Sequence, residues 1–255
     1  MEEGAQVVGK RGGVAAIRSF KAKAIEGWDA LPGRLLAWGF FEAPPDEVAP
    51  RLLGKLLVHR TKGGVLAGRI VEAEAYLGPH HDPPDPAAHA YRGPTPRNLV
   101  LFGPEAHAYV YAIYGRYFCM NISCEAEGRA GCVLLRALEP VAGVEEMARN
   151  RGMEPDARGR DGRVIAAKLA SGLASGPGRL CQALGLTRAG HNGLDLLDEG
   201  SPLQVRDDGY WGREILVTAR IGIHVAADWP MRFAYPDHKS VSGPKSLAGR
   251  RIFLR

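Results

Sequence analysis

Arg69-Ile-Val-Glu-Ala-Glu-Ala-Tyr76 alternates acidic or aromatic residues with small apolar ones. In an extended strand this puts Glu72, Glu74 and Tyr76 on one face and Val71, Ala73 and Ala75 on the other, with same-face neighbours roughly 6.5 to 7 Å apart. Two readings fit. The face is either the solvated side of a half-buried strand, or a pair of carboxylates set into a site, which requires a cationic partner. Arg136 is the candidate partner, because alternation places it on the same face as Leu134 and Leu138. An arginine on an apolar face is paired when buried, and a carboxylate matches its fork best.

Working outward, the strand spans Val65 to Leu77 and pairs through Lys62-Gly63-Gly64 with a second strand, Lys55 to Arg60, as a hairpin. Upstream, Pro44-Pro45-Asp46 opens a helix with the stripe Val48, Leu52 and Leu53, ending at Gly54. Downstream, Gly78 to Asn98 is crowded with Pro, Gly, His and Asp and reads as a long, functional loop. Tyr109 to Tyr114 and Tyr117 to Ser123 form an aromatic hairpin broken at Gly115, with Tyr114 and Arg116 at its tip. A strand from Cys132 to Leu138 follows, then a helix opened by Pro140 with the stripe Val141, Val144 and Met147/Ala148. Arg149 to Arg163 reads as a charged loop. Helices are expected from Val164 to Leu169 and from Arg179 to Leu184, the second entered by Ser175-Gly-Pro177, and a last strand from Ile215 to Val225. Without internal repeats or a linker between two cores, strands and helices mix in one α/β domain. The expected organisation is a loosely held basic extension over 1–33, one folded domain over 34–238 and a basic tail over 239–255.

A chain of 255 residues, 45% apolar and 24% charged, can bury a sizeable core. No apolar run approaches the ~18 residues of a membrane span, and the polar first residues lack a signal core; the expectation is a cytoplasmic protein with no membrane partner. The net charge is +5 and the pI about 9.1. Lys239, Lys245, Arg250, Arg251 and Arg255 lie in a tail without acidic residues, which suits a polyanion partner or a solvated end equally. Cys119, Cys124, Cys132 and Cys181 include no CxxC pair and read as buried free thiols.

Tyr109, Tyr111 and Ile113 share a strand face and suit an aromatic core. Tyr114 suits it least: at a hairpin tip beside Arg116, its ring is placed to wedge between bases. The loop residues His80, His81, Asp82, Asp85 and His89 match no metal template. An ordinary polar loop is the better reading, so no metal is assigned. Phosphate-cradling, dinucleotide-binding and GxSxG motifs are absent from the sequence, which disfavours nucleotide-driven and serine-hydrolase chemistry.

Six segments, Arg69 to Pro79, Ala87-Ala-His89, Thr95-Pro-Arg-Asn98, Tyr111-Ala-Ile-Tyr-Gly115, Tyr117 to Ser123 and Leu134 to Pro140, closely resemble the alkyladenine (methylpurine) DNA glycosylase family. The likeness continues through Ser175-Gly-Pro177, Leu180 to Leu184 and Arg220 to Ile223, ending near Arg232-Phe233. It implies a mixed α/β fold with a curved, largely antiparallel sheet surrounded by helices and a protruding hairpin. It further implies a monomeric, monofunctional glycosylase without cofactor or metal, acting on alkylated and by extension deaminated purines in double-stranded DNA. On the resemblance, Glu74 is the base that activates water, Arg136 helps to hold that water, and the Ile221 backbone carbonyl completes its site. Tyr76 and His89 form one wall of the base pocket, Tyr111 the other, and Asn121 crowds the exocyclic amino group of guanine. Tyr114 is the inserted ring, with Arg116, Thr95 and Arg97 as DNA contacts. Arg116 departs from the family pattern, which has an apolar residue there.

Overall fold

The computed structural model describes residues 33–153, 171–212, 214–244 and 249–253. The helix expected from Val164 to Leu169, nearly all of the N-terminal extension and most of the charged loop after Arg149 lie outside the described residues. In chain order the elements are β1 (Arg34–Leu35), α1 (Pro45–Leu52), β2 (Leu56–Thr61), β3 (Gly64–Tyr76), a 3-10 turn (Leu99–Phe102), β4 (Ala108–Ile113), β5 (Tyr117–Cys124), β6 (Gly131–Ala142) and α2 (Val144–Asn150). There follow α3 (Pro177–Ala183), α4 (Arg188–His191), β7 (Leu203–Asp207), β8 (Glu214–Thr218), β9 (Arg232–Ala234) and β10 (Arg250–Phe253). The fold is a mixed α/β domain on one open antiparallel sheet, ordered β1-β7-β2-β3-β6-β5-β4, with β9 bridging β3 to β8 and β10 beyond β8.

The sheet forks at β3. Its first half pairs with β2, from Leu56↔Arg69 to Thr61↔Gly64, and its second half pairs with β9, from Glu72↔Ala234 to Glu74↔Arg232. Along the other edge β6 accompanies almost the whole strand, with register shifts flanking Glu72. Such irregularities bend and twist a strand, and here they fall where one neighbour gives way to the other. Val71, Ala73 and Ala75 point into the main core with Val48, Leu52, Leu135 and Leu180. Thus α1 and α3 bury their apolar stripes against one side of the sheet, while the Glu72/Glu74 side is left for the site.

Where the observed elements differ from expectation, backbone demands explain most of the difference. Pro140 does not open a helix. It sits in β6 opposite Gly68, and α2 begins only after Gly143, whose φ of +71° breaks the strand. A proline is tolerated there because it adjoins a register shift. The strand expected from Ile215 to Val225 stops at Thr218, where the chain turns toward the site. The basic tail is not wholly a tail: Arg250 to Phe253 form β10, paired with β8 from Arg250↔Val217 to Phe253↔Glu214, and Arg251 pairs with Glu214. The cysteines are free and buried. Among the described residues no helix is long and apolar enough to cross a membrane.

One polar pair joins β2 to α4. His59 on β2 donates through Nδ1 to the Leu184 carbonyl (2.7 Å), and its Nε2 lies 3.1 Å from His191 Nε2. With the His59 proton on Nδ1, Nε2 accepts from His191, so the His59 ring is neutral in this bond. Burial lowers the pKa of each, and a charge on His191 would lower that of His59 further. The unfolded chain therefore takes up protons at a pH where the folded one does not, and stability rises with pH through that window. Urea titrations should show stability level above pH 6.5, the ordinary histidine value, and falling as the pH is lowered toward 5; His59→Gln should flatten that limb.

Candidate active site

Glu72 and Glu74 are both completely buried, which overturns the solvated-face reading. Removing two carboxylates from water costs several kcal/mol per ion unless each is paired and hydrogen-bonded, and each is. Glu72 Oε1 accepts from Arg136 Nε (2.9 Å) and Arg232 Nε (2.7 Å), and its Oε2 accepts from the Ser242 amide (2.6 Å). Glu74 Oε1 meets Arg136 Nη1 at 3.1 Å and accepts from the Ile221 amide at 2.8 Å, while Oε2 accepts from the Tyr76 hydroxyl at 3.0 Å. Two glutamates and two arginines thus form a charge-balanced cluster. Burial alone would lower the Arg136 pKa, but Glu74 and Glu72 outweigh it and hold the guanidinium charged. Burial, and next the charge of Glu74, raise the Tyr76 pKa, so its hydroxyl remains a donor.

Above this cluster lies a cavity of about 420 Å³, within the roughly 300 to 1,000 Å³ range of small-ligand sites. Tyr76, Arg136 and Ile221 line it, so the three groups that hold Glu74 separate that carboxylate from the opening. The far wall comes from β4 and β5. Strand alternation turns Tyr109, Tyr111 and Ile113 inward, with Cys119 and Asn121 beside them. Tyr109 and Tyr111 stack at 5.1 Å, and the His89 ring stands edge-on to Tyr111 at 4.6 Å. His89 Nδ1 is hydrogen-bonded to the Tyr109 hydroxyl (3.0 Å), and burial, then the Arg97 charge, lower its pKa and keep it neutral. Burial raises the Tyr109 pKa to about 12. Asn121 is buried, its Oδ1 facing the Cys132 thiol.

The predicted rim residues separate into two groups. At the tip of the β4–β5 hairpin, Tyr114 is 90% exposed with φ of +48°, a conformation uncommon for a bulky residue, and Gly115 follows at φ +74°. This double left-handed turn aims the ring outward. Arg116 leans back over the Tyr117 ring at 5.0 Å. Across the opening, Thr95 and Arg97 are exposed on a turn pinned by Asn98, which accepts from the Thr95 amide and donates to the His89 carbonyl (2.8 Å). Arg97 lies 5.4 Å from the Tyr111 ring centroid. A second cavity of about 370 Å³ on the far side of the hairpin, between Tyr117 and Gln182, contains none of the acidic cluster.

The His80 to His89 loop is bound by ion pairs. Asp85 is buried against Arg220, whose Nη2 donates to Oδ1 at 3.0 Å while Nη1 contacts Oδ2, and His81 meets Glu125 at 2.9 Å. Among the described residues no three His, Cys, Asp or Glu side chains converge as metal ligands. Arg220 also lies 4.5 Å from the Tyr76 ring and donates to the Ala75 carbonyl, so this pair braces one cavity wall. Sequence reasoning missed it, as it missed Arg232. Yet Met231-Arg232-Phe233 carries the same signal that singled out Arg136, a lone arginine among apolar residues. At Ile221 the backbone amide bonds to Glu74 Oε1.

Comparison with known proteins identifies the class as DNA glycosylase. The model of the family described as methylpurine-DNA glycosylase matches residues 39–239. Similar relatives named "Putative 3-methyladenine DNA glycosylase" include one from Koribacter versatilis, 49% identical over 82% of this chain and 93% of its own length. Others are from Rhodopseudomonas palustris, 44% identical over 83% and 90%, and Alkaliphilus oremlandii, 44% identical over 80% and 96%. The chain belongs to the methylpurine-DNA glycosylase family.

Asp85→Ala would strand the Arg220 charge in the interior. A loss of about 3 to 5 kcal/mol in unfolding free energy is expected, read from denaturant titration.

Proposed function

We propose that this chain flips alkylated purines, 3-methyladenine foremost, out of double-stranded DNA and hydrolyses the N-glycosidic bond with a water activated by Glu74, leaving an abasic site. The observation that carries the reading is the hydrogen-bond count at Glu74. An ionised carboxylate has about four acceptor positions; the Ile221 amide and the Tyr76 hydroxyl fill two, and the Arg136 ion pair at 3.1 Å occupies the side of a third. The fourth, on Oε2, is the position we assign to a water proton.

The chemistry follows from the walls. A base alkylated at a ring nitrogen is cationic, so the faces of Tyr76 and Tyr111 attract it by roughly 0.5 to 2 kcal/mol. Its charge also makes it a neutral leaving group once the glycosidic electron pair departs with it. The sugar then carries oxocarbenium character, which the negative Glu74 stabilises while water oxygen bonds to the anomeric carbon and the water proton passes to Oε2. His89, neutral and held through Nδ1 to the Tyr109 hydroxyl, presents its Nε2 to the edge of the purine. Asn121 crowds an exocyclic amino group at the cavity floor, which favours adenine-like over guanine-like bases, and deaminated purines lacking that group are further substrates. Tyr114 fills the gap left in the base stack, and Thr95, Arg97 and Arg116 meet phosphates or groove edges. The chain acts as a monomer on nucleoid DNA in the cytoplasm, without cofactor.

Glu74→Gln keeps the size of the side chain and removes the base. Base release from a duplex carrying one 3-methyladenine, measured under single-turnover conditions with chelator present, should fall by roughly 10² to 10⁴ with binding retained; release at the parental rate refutes the assignment. Tyr114→Ser should shift a fluorescent base analogue back toward the stacked state, since the plug offsets a few kcal/mol of unstacking. An unchanged flipping equilibrium removes the wedge from the mechanism.

A further inference from the structure

The chain after β9 returns to the acidic cluster at one point. Ser242 presents three backbone and side-chain groups there: its amide donates to Glu72 Oε2 (2.6 Å), its carbonyl accepts from Arg232 Nη2 (3.1 Å), and its hydroxyl accepts from Arg136 Nη2 (3.3 Å). The next residue, Gly243, has φ of +80°, and a β-carbon there would lie 2.6 Å from Ile221 Cδ1. The turn therefore sits against both donors to Glu74 Oε1, touching Arg136 directly and the side chain of the residue whose amide supplies the other bond. The family match ends at residue 239, before this turn.

We infer that the Ser242-Gly243 turn is a positioning element for the reaction, fixing the Arg136 plane and the Ile221 amide so that the free acceptor position of Glu74 Oε2 is held toward the sugar. The turn is absent from the lining of the cavity, so it acts on the chemical step and leaves recognition of the base to Tyr76, His89 and Tyr111. This inference rests on the reading of Glu74 as the base. Ser242→Ala removes the hydroxyl while keeping the amide that binds Glu72. Gly243→Ala removes no hydrogen-bonding group, presses on Ile221 and strains the turn, whose φ of +80° disfavours any side chain.

The test is single-turnover base release by the full chain at saturating enzyme on the 3-methyladenine duplex, with duplex affinity and melting temperature measured in parallel, for Ser242→Ala, Ser242→Thr, Gly243→Ala and Glu74→Gln. The expected result is a loss of tenfold or more in release for at least one of the two alanine variants, with affinity within threefold and melting within about 3 °C of the parent. Ser242→Thr, which keeps a hydroxyl, should regain most of any loss seen for Ser242→Ala. Release within threefold of the parent for both alanine variants overturns the inference, as does a loss that tracks affinity or melting, or a Ser242→Ala loss that threonine leaves unrestored. Should Glu74→Gln abolish release while both alanine variants stay fast, only the positioning role fails; a fast Glu74→Gln refutes the underlying reading.

Discussion

Everything near the site depends on two carboxylates being taken out of water on one strand and neutralised there. Glu72 and Glu74 are two residues apart on β3, so they project to the same side, into a layer closed by β6, β9 and the Ser242 turn. Isolated, each would cost far more than one domain's folding free energy can spare. Arg136 from β6 and Arg232 from β9 approach from opposite edges and meet on Glu72 Oε1. The forked sheet follows from this requirement. If β3 had one continuous neighbour along the edge now shared by β2 and β9, Arg232 could not reach Glu72 from the strand that ends beside it.

The two carboxylates have separate work. Glu72 is held by Arg136, Arg232 and the Ser242 amide, and of these only Arg136 reaches the cavity. All three groups that hold Glu74, namely Tyr76, Arg136 and the Ile221 amide, line the cavity. The inner glutamate sets the arginines, and the outer one lies directly behind the cavity wall made by Tyr76, Arg136 and Ile221. On the other side of the cavity the hairpin makes a similar division: Tyr109 is packed against Leu101 and Cys132 and bonded to His89, whereas Tyr114, five residues on, is almost wholly solvent-exposed. One antiparallel pair thus joins a fixed aromatic wall to a free ring at its end.

Much of this was legible in the chain because its signals are local. Gly-Gly between β2 and β3, Tyr-Gly-Arg between β4 and β5, and prolines at the starts of α1 and α3 mark the turns and caps. Period-two alternation found the acidic face, and an arginine among leucines found its partner. What could not be read depends on contacts remote in sequence. β1, β9 and β10 are two to four residues long, and β9 and β10 each begin with arginine, so neither length nor hydropathy distinguishes them from loops. Ser242 has an ordinary polar character; its meaning comes from Glu72, a hundred and seventy positions earlier. The resemblance to a family led to Ile221, where an amide bond to a carboxylate leaves no trace in residue type.

The choice of arginine at position 136 is a geometric constraint as much as a matter of charge. Its three nitrogens address three different groups: Nε goes to Glu72, Nη1 to Glu74 and Nη2 to the Ser242 hydroxyl. Because the guanidinium is planar, fixing Nε and Nη2 determines the direction of Nη1, and with it the oxygen of Glu74 that is engaged. A lysine would deliver equal charge from a single rotating point and leave Glu74 free to turn about its own bonds. Oε1 carries the arginine and amide bonds, whereas Oε2 carries only the Tyr76 hydroxyl. The asymmetry that leaves one oxygen receptive is therefore built from the rigidity of a neighbouring side chain, and that rigidity is set by a carboxylate and a turn lying outside the cavity.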